Sequence, residues 1–175
     1  MKTALELALD YVFKNEGGFS NDQFDRGGAT KFGITIGDLS RWRKRTVSIQ
    51  EVKDLTAAEA KKIYEAWYWN PIGAPGVKHT GVAICMFDIG VVCGISIPPK
   101  FAQSICNNHG ADLVVDGHVG PKTLAAINAM EPSVFIRDFS VKAESRFRSI
   151  VANNPSQGKF LKGWLNRARR LLTLM

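Results

Sequence analysis

The sequence predicts a mainly α-helical protein with one polar loop or short β-hairpin after its first helix. Three observations predict it. Two capping boxes, Thr3-Ala-Leu-Glu6 and Thr56-Ala-Ala-Glu59, each open a stretch whose apolar residues recur at helical spacing. Pro121 and Pro132 each head a further helical stretch, where a missing N–H is harmless. Between the first helix and the second capping box lies a segment from Phe19 to Gly33 that is rich in Asn, Asp and Gly.

The elements follow in order. A helix opening near residue 4 carries Leu5, Leu9, Val12 and Phe13, and Gly17-Gly18 ends it because glycine readily takes the left-handed conformation. The polar loop that follows is compatible with a short hairpin. The helix opened by Thr56 runs through Trp69 until Pro71 stops it, with Ala60, Ile63, Tyr64 and Trp67 as its apolar face. From Val82 a nearly continuous apolar helix suits the centre of a domain. Asp88, the one charge within it, must be hydrogen-bonded or paired if buried. Pro98-Pro99 marks a break before a helix over Lys100 to Asn107. Later helices span Pro121 to Ala129 and Pro132 to about Ala152, with a turn at Asn153-Asn154-Pro155 and a basic helix last. No repeat, low-complexity tract or long linker divides the chain.

With 175 residues, 45% apolar and 22% charged, the composition excludes a disordered tail, a collagen-like rod and a disulfide miniprotein. The longest apolar run, from Val82 to Ile97, is broken by Asp88, Gly90 and Gly94, short of the roughly 18 residues of a membrane span. Glu6 and Asp10 stand where a signal peptide needs apolar residues, so the protein is expected to be made in the cytoplasm without an ordinary export signal. Cys85, Cys93 and Cys106 show no CxxC spacing. On one helix, Cys85 and Cys93 would lie about 12 Å apart, too far to bridge, so free and buried thiols are expected. The three histidines are scattered without an HExxH pattern, and neither a metal nor another cofactor is expected.

The net charge of +7 is localised. Residues 1–136 hold 14 basic and 14 acidic side chains, whereas residues 137–175 hold nine basic ones against Asp138 and Glu144. The last segment interleaves Phe160, Leu161, Trp164, Leu165, Leu171 and Leu172 with Lys159, Lys162, Arg167, Arg169 and Arg170. Such a basic amphipathic helix suits docking by its apolar stripe with the charges solvated. It equally suits contact with an anionic polymer, an anionic membrane surface or nucleic acid.

Glu16 is the residue with chemical promise. Leu5, Leu9, Val12 and Glu16 share one helix face, so a carboxylate closes the stripe that should face the core. Burial and the negative end of a helix both favour the protonated form, which a general acid needs near neutrality. The same position also suits a last-turn glutamate that bends into solvent. Asp25 and Thr30 follow within FDRGGATKFGIT. On a solvated loop Asp25 would stay ionised, Thr30 could orient a water, and Gly27-Gly28 would let the backbone approach a sugar closely. Plain turn roles fit the aspartate and the glycines as well.

The run Glu16-Gly-Gly-Phe-Ser-Asn-Asp-Gln-Phe-Asp25-Arg-Gly-Gly-Ala-Thr30-Lys-Phe-Gly-Ile-Thr35 resembles the opening motif of the glycoside hydrolase 108 family, N-acetylmuramidases found among phage endolysins and bacterial proteins. Leu55-Thr56 through Ile63-Tyr64 with Tyr68-Trp69 resembles its second block, and Phe87-Asp88 with Gly94 its third. Val115-Asp116-Gly117 with Gly120-Pro121 and Thr123 resembles the peptidoglycan-binding region that follows, as does Gly163-Trp164-Leu165-Asn166-Arg167. The resemblance implies a lysozyme-like, mainly α fold, with residues 1–81 catalytic and residues 82–175 binding peptidoglycan, the two packed as one compact unit.

By the same resemblance Glu16 is the catalytic acid, and Asp25 and Thr30 complete the order of glutamate, aspartate and threonine seen in lysozyme-like enzymes. Asp25 and Thr30 stand one residue closer together than in the phage T4-type pattern. Gly28, Tyr68 and Trp69 become the substrate-binding candidates, while the helical spacing of Tyr64 and Trp67 favours core. The implied partner is the glycan strand of peptidoglycan, bound by a monomer, with contact to an anionic membrane through the basic C-terminal helix and no specific nucleic acid. A lytic transglycosylase and a non-catalytic wall-binding protein stay open as alternatives.

Overall fold

The computed structural model describes residues 1–13 and 29–175; Glu16, Asp25 and Gly28 lie outside the described residues. These form two compact units, Met1–Trp67 and Tyr68–Met175. Among them the fold is mainly helical, with a single small antiparallel hairpin after the first helix.

In the first unit, helix α1 (Ala4–Phe13) starts at the Thr3–Glu6 capping box, whose two reciprocal hydrogen bonds measure 2.8 and 3.2 Å. It buries Leu5, Leu9 and Val12, the stripe predicted for it. Strands β1 (Thr30–Lys31) and β2 (Ile34–Thr35) form the hairpin. Two short helices that the sequence reading leaves unassigned follow: α2 (Ile36–Arg43), capped by Thr35, and α3 (Ile49–Lys53), opened by a full Ser48–Glu51 capping box. Helix α4 (Ala57–Tyr64) begins at Thr56 as expected and buries Ala60, Ile63 and Tyr64. It then widens into a π-helical turn, Glu65–Trp69. That turn shifts the register, so Trp69 is carried inward and Trp67 stays half-buried.

Ion pairs clamp these short helices. The Arg43 guanidinium grips the Glu59 carboxylate with two parallel bonds of 2.9 and 2.7 Å and reaches Glu51 at 3.0 Å, joining α2 to α3 and α4. Lys61 binds Glu6 at 2.8 Å, tying α4 to α1.

The second unit is built around α5 (Thr80–Cys93), with every residue from Gly81 to Gly90 buried. Around it pack α6 (Ile97–Asn108), α8 (Pro132–Asn153) and a closing 3-10 turn, Leu171–Leu174; α7 (Pro121–Ala129) packs on α6, and α9 (Gly158–Arg170) packs on α8. Helix α6 begins at Ile97, earlier than expected, because Pro98 and Pro99 occupy its first turn, where backbone N–H groups have no helical partner to lose. Gly81 lets the chain end close over α5: a Cβ there would meet the Leu174 carbonyl oxygen.

Asp88 is fully buried in α5 and is neutralised from α9. Arg167 binds it in bidentate fashion, Nε to Oδ2 at 2.9 Å and the terminal nitrogen to Oδ1 at 2.8 Å, with Arg170 at 3.9 Å. Arg169 binds Glu144 at 3.0 Å, Ser140 donates to the Ala168 carbonyl at 2.9 Å, and Trp164 stacks on Phe147 at 5.4 Å. The basic terminal helix is therefore docked by its apolar stripe, with Arg167 turned inward onto Asp88 and Arg169 paired with Glu144 at the surface. All three cysteines are free, with Cys85 and Cys106 buried and Cys93 half-buried. No helix among the described residues is long and apolar enough to cross a membrane.

Arg167→Met should destabilise the protein by roughly 3–5 kcal/mol, because it strands a buried carboxylate. Adding Asp88→Leu should recover most of that loss in chemical denaturation. Acid should act on the first unit. The Lys61 ammonium holds the Glu6 carboxyl down at about 2, and the Arg45 guanidinium does the same for Glu51, also about 2. Both lie below the ordinary value, so their stabilisation is complete above about pH 4.5 and is lost as pH falls toward 2. Thermal melts between pH 5 and pH 2 should show a falling Tm.

Candidate active site and its frame

Thr30 is the catalytic candidate that falls within the described residues. It lies half-buried on β1, with Thr35 opposite it across the hairpin and Lys31 opposite Ile34. The two-residue connection, Phe32-Gly33, has φ of +53° and +72°. A turn with both central residues left-handed matches the twist of a hairpin. Glycine takes that conformation freely, whereas at Phe32 it costs about 1–2 kcal/mol.

Several contacts hold Phe32 in place. Its carbonyl accepts the Tyr64 hydroxyl at 2.8 Å, and its ring lies 5.5 Å from Phe13. Phe13 in turn meets Tyr64 edge-on at 5.4 Å. Lys31 places its ammonium 5.5 Å from the Phe32 ring and donates to the Lys53 carbonyl. The end of α1, the hairpin turn and the end of α4 therefore meet in one aromatic cluster. Backbone strain held by its surroundings is a recurring mark of functional sites.

Ala29, the first described residue of the hairpin arm, is buried, and its carbonyl accepts the Ile36 N–H at 2.9 Å. Phe13 and Ala29, the described neighbours of the sequence motif in the chain, are thus both anchored in the first unit. Sequence reasoning missed the Tyr64 hydroxyl and the strained Phe32. A two-residue Phe-Gly between Thr-Lys and Ile-Thr is a recognisable hairpin signal; Tyr64, 32 residues away, has none.

The remaining candidates sort by unit. Trp67 of the first unit is half-buried, with Trp42 edge-on at 5.7 Å and the Arg41 guanidinium 4.2 Å from its ring centre. Tyr68 is half-buried at the start of the second unit. Trp69 is 5% exposed and meets Phe87 edge-on at 5.6 Å, so its ring packs the core of that unit and presents no open face to a sugar. The structure brings Thr30 into the same unit as Tyr64 and Phe13, while Tyr68 and Trp69 belong to the other.

The second unit carries the other sequence motif on the loop between α6 and α7. Gln103, 1% exposed on α6, is its hub. Its amide donates to Asp116 Oδ1 at 2.8 Å and to the His118 carbonyl at 3.0 Å, and its oxygen accepts the Gly117 N–H at 2.9 Å. One turn on, Asn107 clasps Leu113 in both directions at 2.8 and 2.9 Å. The His118 backbone N–H, followed by the Gln103 amide, holds the Asp116 carboxyl below its ordinary value. Gln103 and Asn107 share one helix face, the one local hint of this role. Among the described residues no group of three or more His, Cys, Asp and Glu could hold a metal ion.

Residues 9–94 match the family profile of glycosyl hydrolase 108, and residues 97–169 match one described as "Predicted Peptidoglycan domain". The chain is similar to a solved structure of SagA from Brucella abortus, with 33% identity and a TM-score of 0.75 over 97% of this chain and 91% of that one. No curated protein matches the chain. The profile boundary, between 94 and 97, and the unit boundary, between 67 and 68, lie on either side of the 81–82 division expected from sequence. The first profile includes the hairpin, Tyr64 and the whole of α5.

Tyr64→Phe tests the frame. Removing the hydroxyl from the Phe32 carbonyl should cost about 1 kcal/mol in equilibrium denaturation, with the aromatic contacts retained.

Proposed function

The chain belongs to the glycosyl hydrolase 108 family, and from that premise we propose that it hydrolyses the β-1,4 bond between N-acetylmuramic acid and N-acetylglucosamine in peptidoglycan. The observation that carries this reading is the family match over residues 9–94, which spans the whole run from Glu16 to Thr35. The mainly α fold with its hairpin after the first helix is of the lysozyme-like type. The second match, over residues 97–169, supports the cell wall as the place of action.

The residues suit the chemistry. Cleaving a glycosidic bond needs a protonated carboxyl to cap the leaving oxygen and a second group for the water or the developing positive charge. Glu16 is the acid, protonating the glycosidic oxygen as the bond breaks. Asp25, ionised before the reaction, is the second carboxylate and takes the proton that the attacking water gives up as it bonds to the anomeric carbon. Thr30, on a strand fixed by the Tyr64 hydroxyl and the Phe13 ring, orients the attacking water through its own hydroxyl. Gly28, within the same motif, is the substrate contact. Water, the enzyme and the glycan are the only reactants this scheme requires.

Mass spectrometry of fragments released from purified peptidoglycan tests the reading. The wild-type protein should release fragments ending in reducing muramic acid, and Glu16→Gln should lower that release by roughly 100-fold or more. Anhydro-muramic ends would instead mark a lytic transglycosylase. An unchanged rate in Glu16→Gln would remove that residue from the acid role.

A further inference from the structure

The loop between α6 and α7 bounds a groove of about 340 Å³ within the second unit. Its construction is unusual for a surface loop. The floor includes two buried polar side chains, Gln103 and Thr123, and both bind the loop backbone at His118. The loop is therefore a fixed wall. That wall holds Val114 out in water at 77% exposure, although burial would be its favoured state.

The lining carries charge of both signs. Asp112 and Asp116 supply carboxylates, while His118 and Lys122 supply nitrogen donors. No Trp, Tyr or Phe lines the groove, whereas saccharide sites commonly rely on ring faces that stack against sugar C–H groups. Paired acidic and basic groups around an apolar contact suit a ligand that carries free amine, free carboxylate and small methyl side chains together.

We propose that this groove binds the peptide stem of peptidoglycan rather than its glycan strand. The inference rests on the peptidoglycan-binding reading of the second segment and adds which part of the polymer is read. Stem peptides carry carboxylates, alanine methyls and the amine of a diamino acid. In the groove, Lys122 meets a stem carboxylate, Asp116 meets the diamino-acid amine through the oxygen it does not share with Gln103, and Val114 covers an alanine methyl. Reading the stem would hold the protein on wall material whatever the state of the glycan bond being cut.

The test uses the full chain and three probes: free stem tetrapeptide, purified sacculi, and glycan strands stripped of peptide by an amidase. Calorimetry should detect the tetrapeptide on the wild-type protein. Lys122→Glu and Asp116→Asn should each weaken it about tenfold or more, with unchanged melting temperatures showing that the loop is intact. With the Glu16→Gln chain, which leaves the wall uncut, sacculi should co-sediment with the protein, and excess tetrapeptide should release it about tenfold more effectively than soluble stripped glycan. Release by stripped glycan equal to that by tetrapeptide, or tetrapeptide binding that ignores both substitutions, would overturn the stem proposal and leave peptidoglycan binding standing. Failure to sediment with sacculi would overturn the peptidoglycan-binding reading itself.

Discussion

The pairing of Asp88 with Arg167 is the constraint around which the second unit is organised. A carboxylate with no exposed surface, in a helix whose neighbours are apolar on every side, is untenable without a cation and hydrogen bonds of its own. The guanidinium that serves it comes from 79 residues further along the chain. Meeting that need fixes α9 in position, and the rest follows: Ser140 bonds the Ala168 carbonyl, Trp164 stacks on Phe147, and Leu171 is drawn fully inside. One part of the positive charge in the last 39 residues, the Arg167 guanidinium with Arg170 beside it, thus has an internal purpose. What it leaves exposed is the outer edge of α9, Lys159 and Lys162 beside Phe160.

Much of this was legible in the sequence where local chemistry decides the outcome. The Thr3 and Thr56 caps, the prolines at 121 and 132, and the apolar run after Val82 mark their helices because caps, missing N–H groups and periodicity act within a turn or two. Helix α3 also carried such a mark, the Ser48-Ile49-Gln50-Glu51 box, which the coarse reading passed over. Helix α2 carried a local mark as well, the Thr35 cap with Asp38 three residues on, but the clamp that joins it to α3 and α4, Arg43 reaching Glu51 and Glu59, has no signature in a short window. The widening at Glu65–Trp69 was illegible for a related reason. A π turn is a response to packing, and it exchanged the expected positions of Trp67 and Trp69.

The candidate site divides along the same line. The run from Glu16 to Thr35 points to its chemistry through its resemblance to the glycoside hydrolase 108 motif, since by residue type and spacing alone plain turn roles fit as well. The support beneath Thr30 could not be read that way. It depends on a phenylalanine in a left-handed turn, a tyrosine hydroxyl from another helix and a ring from a third element. Rigid support of this kind fixes a polar group before substrate arrives, which is worth more to a reaction than an additional flexible contact.

Helix α5 has one further consequence, for inheritance. It ends the segment that matches the hydrolase family, yet it is the centre of a unit made mostly from the segment that matches the peptidoglycan family. The seam between the families therefore cuts across packing. Recombination at that seam, in evolution or in the assembly of chimaeric hydrolases, would hand each new C-terminal partner a helix with ten consecutive buried residues and a carboxylate to neutralise. A partner without a guanidinium in the place of Arg167 would not accept it. The two family-matched segments can diverge at their surfaces, but they exchange partners only together with the ion pair between Asp88 and Arg167.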